Sequence, residues 1–194
     1  MQVSGFVLAG GRSKRMGREK ALLPYRHATL VEHVAGAVRD AAGSVTLVGD
    51  PAKLGGLGLP VLPDTIPGCG PASGIATALK ATHTDWNLIV ACDMPAISSG
   101  ILGELLRAAE TTGANCVAAA APDGEPEPLC ALYHRRCLRV LARAILDKRL
   151  KMKELLNEIG VRTVAVPRAA LANVNTADEW LQFQGATTTE SGVS

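Results

Sequence analysis

Apolar positions in this chain fall into two kinds of run that alternate along it. Val3 to Ala9 is an almost unbroken apolar stretch that stops at Gly10-Gly11, and Ser44–Val48, Asn87–Cys92, Cys116–Ala121 and Val161–Val166 are of the same type. Short runs with little polar alternation predict strands of a parallel sheet covered on both faces. The other kind has helical spacing. Leu30, Val31, Val34, Ala37, Val38 and Ala41 follow the capping-box pattern Thr29-x-x-Glu32 and end at Gly43. Further helices are predicted over Gly70–Thr82, opened by Pro71, from Ser98 to Gly113, over Leu138–Leu146 and Lys151–Ile159, and behind Thr176-x-x-Glu179. Pro122 to Pro128 reads as a turn-rich loop before a strand at Leu129–Tyr133, and Gly185 to Ser194 as a polar tail. Strand and helix alternate throughout. The expectation is an α/β protein, a single-domain three-layer α/β/α sandwich with a mainly parallel sheet over residues 1–185, and a flexible tail at 186–194. Ligands of such sheets bind beyond the carboxyl ends of the strands.

Composition narrows this picture. Only six of the 194 residues are aromatic, so the core must be built from Ala, Leu, Val and Ile. No apolar run approaches the roughly 18 residues of a membrane span, and the first residues lack the basic-then-apolar order of a secretory leader. The five cysteines form no C-x-x-C pair, which predicts free thiols in a reducing cytoplasm and neither a disulfide frame nor a zinc site. A net charge of +2 gives no reason to expect nucleic acid as a partner. Its distribution says more: Arg12, Lys14, Arg15, Arg18, Lys20 and Arg26 face only Glu19 within residues 12–26, a local +5 that leaves −3 elsewhere. So concentrated a patch suits a small anion.

Candidate chemistry begins in that patch. After the first strand, Gly10-Gly11 lets the backbone turn tightly and set bare N–H groups against phosphate oxygens, with Arg15 and Lys20 to neutralise charge. The spacing is neither G-x-x-x-x-G-K-[ST] nor G-x-G-x-x-G. Asp93, in Cys92-Asp93-Met94-Pro95 at the end of a strand, is either a turn former or a ligand for Mg²⁺, which takes one or two carboxylates plus substrate phosphates. Asp64 stands before the glycine-rich Gly68-Cys69-Gly70-Pro71-Ala72-Ser73-Gly74 and serves either a turn or a base or sugar. Asn173 and Asn175, on alternate positions of Asn173-Val174-Asn175-Thr176, precede a helix N-terminus that favours anions. The four histidines are scattered, and no nucleophile–base arrangement is visible.

Together these motifs resemble the GT-A-like nucleotidyltransferases, and most closely the molybdenum cofactor guanylyltransferase family. The resemblance covers nearly the whole chain. It rests on Leu8–Pro24 (L-A-G-G-x-S-x-R-M-G-x-x-K-A-L-L-P), Asp64–Gly74, Cys92–Pro95, Glu127–Tyr133 and Asn173–Thr176. It implies transfer of GMP from GTP to molybdenum-loaded molybdopterin in the cytoplasm, with release of pyrophosphate and with Mg²⁺. It also implies nucleotide contacts from Leu8, Ala9, Gly10, Gly11, Lys20, Asp64 and Asp93. Lys20, Arg15 and Asp93 would carry catalysis, with Asp93 as the metal ligand. Gly70, Gly74, Asn173 and Asn175 would lie toward the acceptor, and proteins of cofactor biosynthesis and recipient apoenzymes are the implied partners. Relatives often place an asparagine at the end of the second strand to read the base; Leu47-Val48-Gly49 has none here. Cytidylyl transfer to the same pterin and sugar-1-phosphate nucleotidyl transfer are the neighbouring readings, and a non-catalytic nucleotide or cofactor carrier is the reading from another class.

Overall fold

The computed structural model describes residues 1–10, 20–66 and 68–190. In chain order the elements are β1 (Val3–Leu8), β2 (Pro24–Tyr25), β3 (Ala28–Thr29), α1 (Leu30–Ala42), β4 (Thr46–Val48), α2 (Pro51–Leu54), β5 (Val61–Leu62), α3 (Gly70–Ala81), β6 (Trp86–Ala91), α4 (Ser99–Thr111), β7 (Cys116–Ala120), β8 (Pro126–His134), α5 (Leu138–Leu146), α6 (Met152–Ile159), β9 (Val161–Ala165) and α7 (Ala177–Glu190). Seven strands form one sheet in the order β5-β4-β1-β6-β8-β7-β9. All pairings are parallel except those of β8, which runs against both neighbours. The remaining two strands, β2 and β3, make a small antiparallel hairpin.

The strand periodicity of two sorts side chains onto the two faces. Val7, Leu88, Val90, Val117, Ala119, Cys130 and Leu132 pack with α1 and α4 in one core. Their neighbours Phe6, Leu8, Ile89, Cys116, Ala118, Ala131 and Tyr133 pack with α3, α5 and α6 in the other. Both faces are covered, as the nearly continuous apolar runs required. The capping box at Thr29 closes as expected: the Thr29 N–H donates to Glu32 Oε2 at 2.8 Å, and the Glu32 N–H to Thr29 Oγ1 at 3.4 Å. None of the five cysteines is in a disulfide, and four are buried. Among the described residues no helix is long and apolar enough to cross a membrane.

Two boundaries differ from expectation. Pro126-Glu127-Pro128 belongs to β8 and leaves a connection of only five residues, 121–125, in which the Gly124 N–H donates to the Ala121 carbonyl. Proline marks a turn by habit, yet it is tolerated where a strand begins. The last helix runs to Glu190, so residues 186–190 of the expected tail are helical, and 191–194 lie outside the described residues.

Gly5 has a steric cause. A Cβ there would stand 2.3 Å from the Ser44 carbonyl oxygen and 2.6 Å from Val38 Cγ1, so only glycine lets the end of α1 close on β1. A Gly5→Ala substitution is expected to destabilise the fold by about 1–3 kcal/mol, as overpacked cores do. Urea unfolding measures this, and an unchanged midpoint would show that α1 can shift without cost.

Candidate active site

The parallel strands β5, β4, β1 and β6 end at one edge of the sheet, and the antiparallel β8 begins there. Loops bearing Asp64, Gly49, Gly10 and Asp93 therefore leave the sheet side by side. The loop after β1 is stitched to both neighbours at its root: the Ala9 N–H donates to the Val48 carbonyl (2.9 Å), and the Leu8 carbonyl accepts from the Cys92 N–H (3.1 Å). Those two backbone groups hold the loop's entry in place. Gly10 beyond them is exposed. Gly11 and Arg15 lie outside the described residues, as do the other basic residues up to Arg18.

Lys20 re-enters the structure at the head of a 3₁₀ turn, Lys20–Leu22. Ala21 and Leu23 are buried with α1 in the first core, and the Leu30 N–H donates to the Leu23 carbonyl at 2.8 Å, so the lysine's root is fixed. Its ammonium reaches across to β6. Lys20 Nζ donates to Asp93 Oδ2 at 2.8 Å and to Asn175 Oδ1 at 3.0 Å.

Each partner is held from behind. Met94 and Ile97 anchor the loop after β6 in the core, and the His33 ring sets Nε2 3.0 Å from the Pro95 carbonyl. The Val174 N–H donates to the Asp93 carbonyl at 3.0 Å, and the buried Val174 side chain turns Asn173 and Asn175 outward. Glu179 fixes the segment further by accepting from the backbone N–H of Asn175 and Thr176, while Thr176 Oγ1 caps the Glu179 N–H at 3.2 Å. Finally α7 is clamped to the hairpin following Lys20. The Tyr25 ring centroid lies 5.5 Å from that of Trp180 and 5.7 Å from that of Phe183.

The sequence-based candidates thus divide. Lys20, Asp93 and Asn175 meet directly, although Lys20 and Asn175 lie 155 residues apart. Asn173 is exposed two residues away from Asn175. Asp64 Oδ1 serves its own loop, accepting from Ser73 Oγ, from the Ile66 N–H (3.1 Å) and from Thr77 Oγ1 (3.4 Å), so it ties the strand exit to α3. Gly74 is buried within α3, where a Cβ would press on Leu8 Cδ1 at 2.9 Å. Gly70 opens that helix with φ of 60°.

Sequence patterns gave no reason to pair Glu127 with Asp93. In the β6–β8 ladder Trp86 faces His134 and Val90 faces Cys130; carried past the strand end, that register sets Glu127 abreast of Asp93. Burial raises the Glu127 pKa, the Leu129 N–H bond opposes the rise, and the charge of Asp93 adds to it. Among the described residues no three His, Cys, Asp or Glu side chains gather into a metal cage. The oxygens of Asp93 and Asn175 instead converge on a single point. Two hard oxygen donors suit Mg²⁺ or Mn²⁺ completed by phosphate and water, so the residues present fit such an ion.

A family model described as the MobA-like NTP transferase domain matches residues 5–164. The chain belongs to that family. Among MobA-like relatives, a probable molybdenum cofactor guanylyltransferase of Flavobacterium johnsoniae is 32% identical over 178 residues, 90% of this chain and 92% of the relative. The crystal structure of the molybdopterin-guanine dinucleotide biosynthesis protein A of Archaeoglobus fulgidus superposes with a TM-score of 0.81 at 25% identity, covering 96% of this chain and 99% of its own. A Mycobacterium tuberculosis H37Rv protein in complex with manganese shares the fold, with a TM-score of 0.69 at 21% identity over 94% of this chain and 98% of its own. The chain is accordingly a nucleotidyltransferase of the MobA-like type with a mixed, mainly parallel sheet.

His33 gives this MobA-like fold a pH dependence. Burial, helped by Arg26 and opposed by the Pro95 carbonyl, lowers its pKa below the ordinary 6.5. The unfolded chain then binds the proton more readily, so this contribution to stability is whole above pH 6.5 and is lost as pH falls through the lower folded value. Melting temperature measured from pH 8 to pH 5 is expected to fall less steeply in a His33→Gln variant than in the parent; parallel profiles would remove His33 from the account.

Proposed function

We propose that this protein transfers GMP from GTP to the terminal phosphate of molybdenum-loaded molybdopterin, forming the guanine dinucleotide cofactor and pyrophosphate. One observation carries the reading: Lys20 Nζ, Asp93 Oδ2 and Asn175 Oδ1 meet within 3.0 Å at the sheet edge where the glycine-rich loop emerges. The guanylyltransferase named among its relatives supplies the substrates.

In the reaction an acceptor phosphate oxygen forms a bond to the α-phosphorus of GTP, and the bond from that phosphorus to the bridging oxygen of pyrophosphate breaks. The attacking oxygen is already anionic at neutral pH, so no side chain has to remove a proton. What remains is to align two anions and to stabilise charge on the phosphoryl group and the departing pyrophosphate. Lys20, on a fixed root with a flexible stem, neutralises the triphosphate. Asp93 and Asn175 would hold a divalent ion such as Mg²⁺, which would supply neutralisation of the phosphate charge. Gly10, exposed at the end of the β1 exit, is placed to meet the phosphates; Gly11 and Arg15, expected from the sequence to join it, lie outside the described residues. Asp64, held by Ser73, Thr77 and the Ile66 N–H, braces the wall on the nucleoside side. Glu127 is assigned to the acceptor side because β8 lies on the far side of β6 from β1, and Asn173, exposed beside Asn175, joins it there.

With no side-chain amide in Leu47-Val48-Gly49, base choice falls to backbone groups. That favours a second reading, cytidylyl transfer to the same pterin. Incubation with molybdopterin, Mg²⁺ and GTP, CTP or UTP, followed by product identification, separates the two, and the guanine product is expected. In that assay Asp93→Ala is expected to lower turnover by at least about 100-fold, in the range for removal of a group aimed at transition-state charge. Lys20→Ala is expected to cost at least about tenfold, since a charge-assisted hydrogen bond is worth about 1.5–3 kcal/mol. Pyrophosphate release that survives Asp93→Ala unchanged would take the reaction away from this edge of the sheet.

A further inference from the structure

We infer that Lys20 is the resident counter-ion of the divalent-cation site, so that metal and triphosphate enter it together and each excludes itself when alone. The inference rests on reading Asp93 and Asn175 as the ligands of that cation. In the structure one oxygen of each, Asp93 Oδ2 and Asn175 Oδ1, accepts from a single ammonium, at 2.8 and 3.0 Å, where the two converge. A hard divalent ion needs the same two oxygens at closer range. It cannot share them with a positive charge that close to its own position, so Lys20 has to leave before it is bound.

Lys20 is built to leave. Its root is locked by buried Ala21 and Leu23, whereas its side chain is a four-carbon stem whose rotatable bonds let the charged head swing once its two hydrogen bonds are exchanged. Charge decides where the head goes. With Lys20 on Asp93 the pair is neutral. A divalent ion arriving alone meets one carboxylate already satisfied and one cation to expel into water. A triphosphate arriving alone draws Lys20 off and is left beside the bare Asp93 carboxylate. When both arrive, Lys20 moves to the phosphates and the metal takes its former partners, so every charge is again opposed. Metal and nucleotide thereby become positively coupled through one side chain, and coupling of that kind is reciprocal.

The test is a titration of the full chain with Mn²⁺ alone, free ion being followed by electron paramagnetic resonance. Lys20→Met and Lys20→Gln are expected to bind Mn²⁺ at least about tenfold more tightly than the parent, and Lys20→Arg, which keeps the charge, to stay near the parent. Mn²⁺ is likewise expected to raise the melting temperature of Lys20→Met more than that of the parent. A side chain that only supported the fold would not yield tighter metal binding on removal. The gain is expected to vanish in Lys20→Met/Asp93→Asn. If neither neutral variant binds Mn²⁺ more tightly, while Asp93→Asn still weakens Mn²⁺ binding in the presence of a non-hydrolysable GTP analogue, Lys20 is no counter-ion and the cation site stands. If the gain persists in the double variant, Mn²⁺ is held elsewhere, and the reading of Asp93 as a ligand fails with the inference.

Discussion

A lysine and an aspartate 73 residues apart share one hydrogen-bonded ion pair at 2.8 Å, and much of the architecture serves to keep it there. Lys20 sits on a short turn whose neighbours are buried against α1. Asp93 follows a strand in the middle of the sheet, and its loop is pinned by Met94 and Ile97 below and by the His33 contact with Pro95 beside it. Both side chains are largely enclosed, at 12% and 25% exposure, so the pair is less screened than one on the open surface and depends on good geometry. Surface pairs such as Lys151–Glu154 carry no comparable constraint: they join residues three apart on one exposed helix start.

The sheet explains why these groups meet. Parallel strands bring their carboxyl ends to one edge, and the one reversed strand brings its amino end to the same edge. That reversal places Glu127 abreast of Asp93 and extends the edge toward β7 and β9. The loops after β1, β4 and β5 thus lie on one flank of Asp93, and β8, β7 and β9 on the other. A transfer between two anions requires such an arrangement, with positive charge and hard oxygen ligands at the centre and a distinct approach for each reactant.

Much of this was legible from residue patterns. The helix at Leu30–Ala42 follows from local signals that the structure reproduces, Thr29 with Glu32 at its start and Gly43, at φ of 77°, at its end. The runs of β1, β6 and β7 announced burial on both faces because their residues are almost all apolar. What escaped has physical reasons too. The direction of β8 depends on partners far along the chain, and its opening Pro-Glu-Pro imitates a turn. Strands β2, β3 and β5 have two residues each, too few for any period. Lys20, Asp93 and Asn175 each announced themselves by residue type and position, but their meeting at one point did not. Asn175 reaches Lys20 only because Val174 bonds to the Asp93 backbone, a contact that no local spacing encodes. Asp64 shows the reverse: a prominent motif position whose Oδ1 is occupied in bracing its own loop.

The aromatic clamp of Tyr25 with Trp180 and Phe183 ties a segment near the start of the chain to one near its end. In the order of synthesis, every strand of the central sheet, up to Ala165, precedes residues 174–184. Until those are made, Lys20 lacks its amide partner, and the loop after β6 lacks the Val174 tie. A chain made only as far as residue 173 would therefore hold most of its core while the corner around Lys20 and Asp93 stayed unfinished.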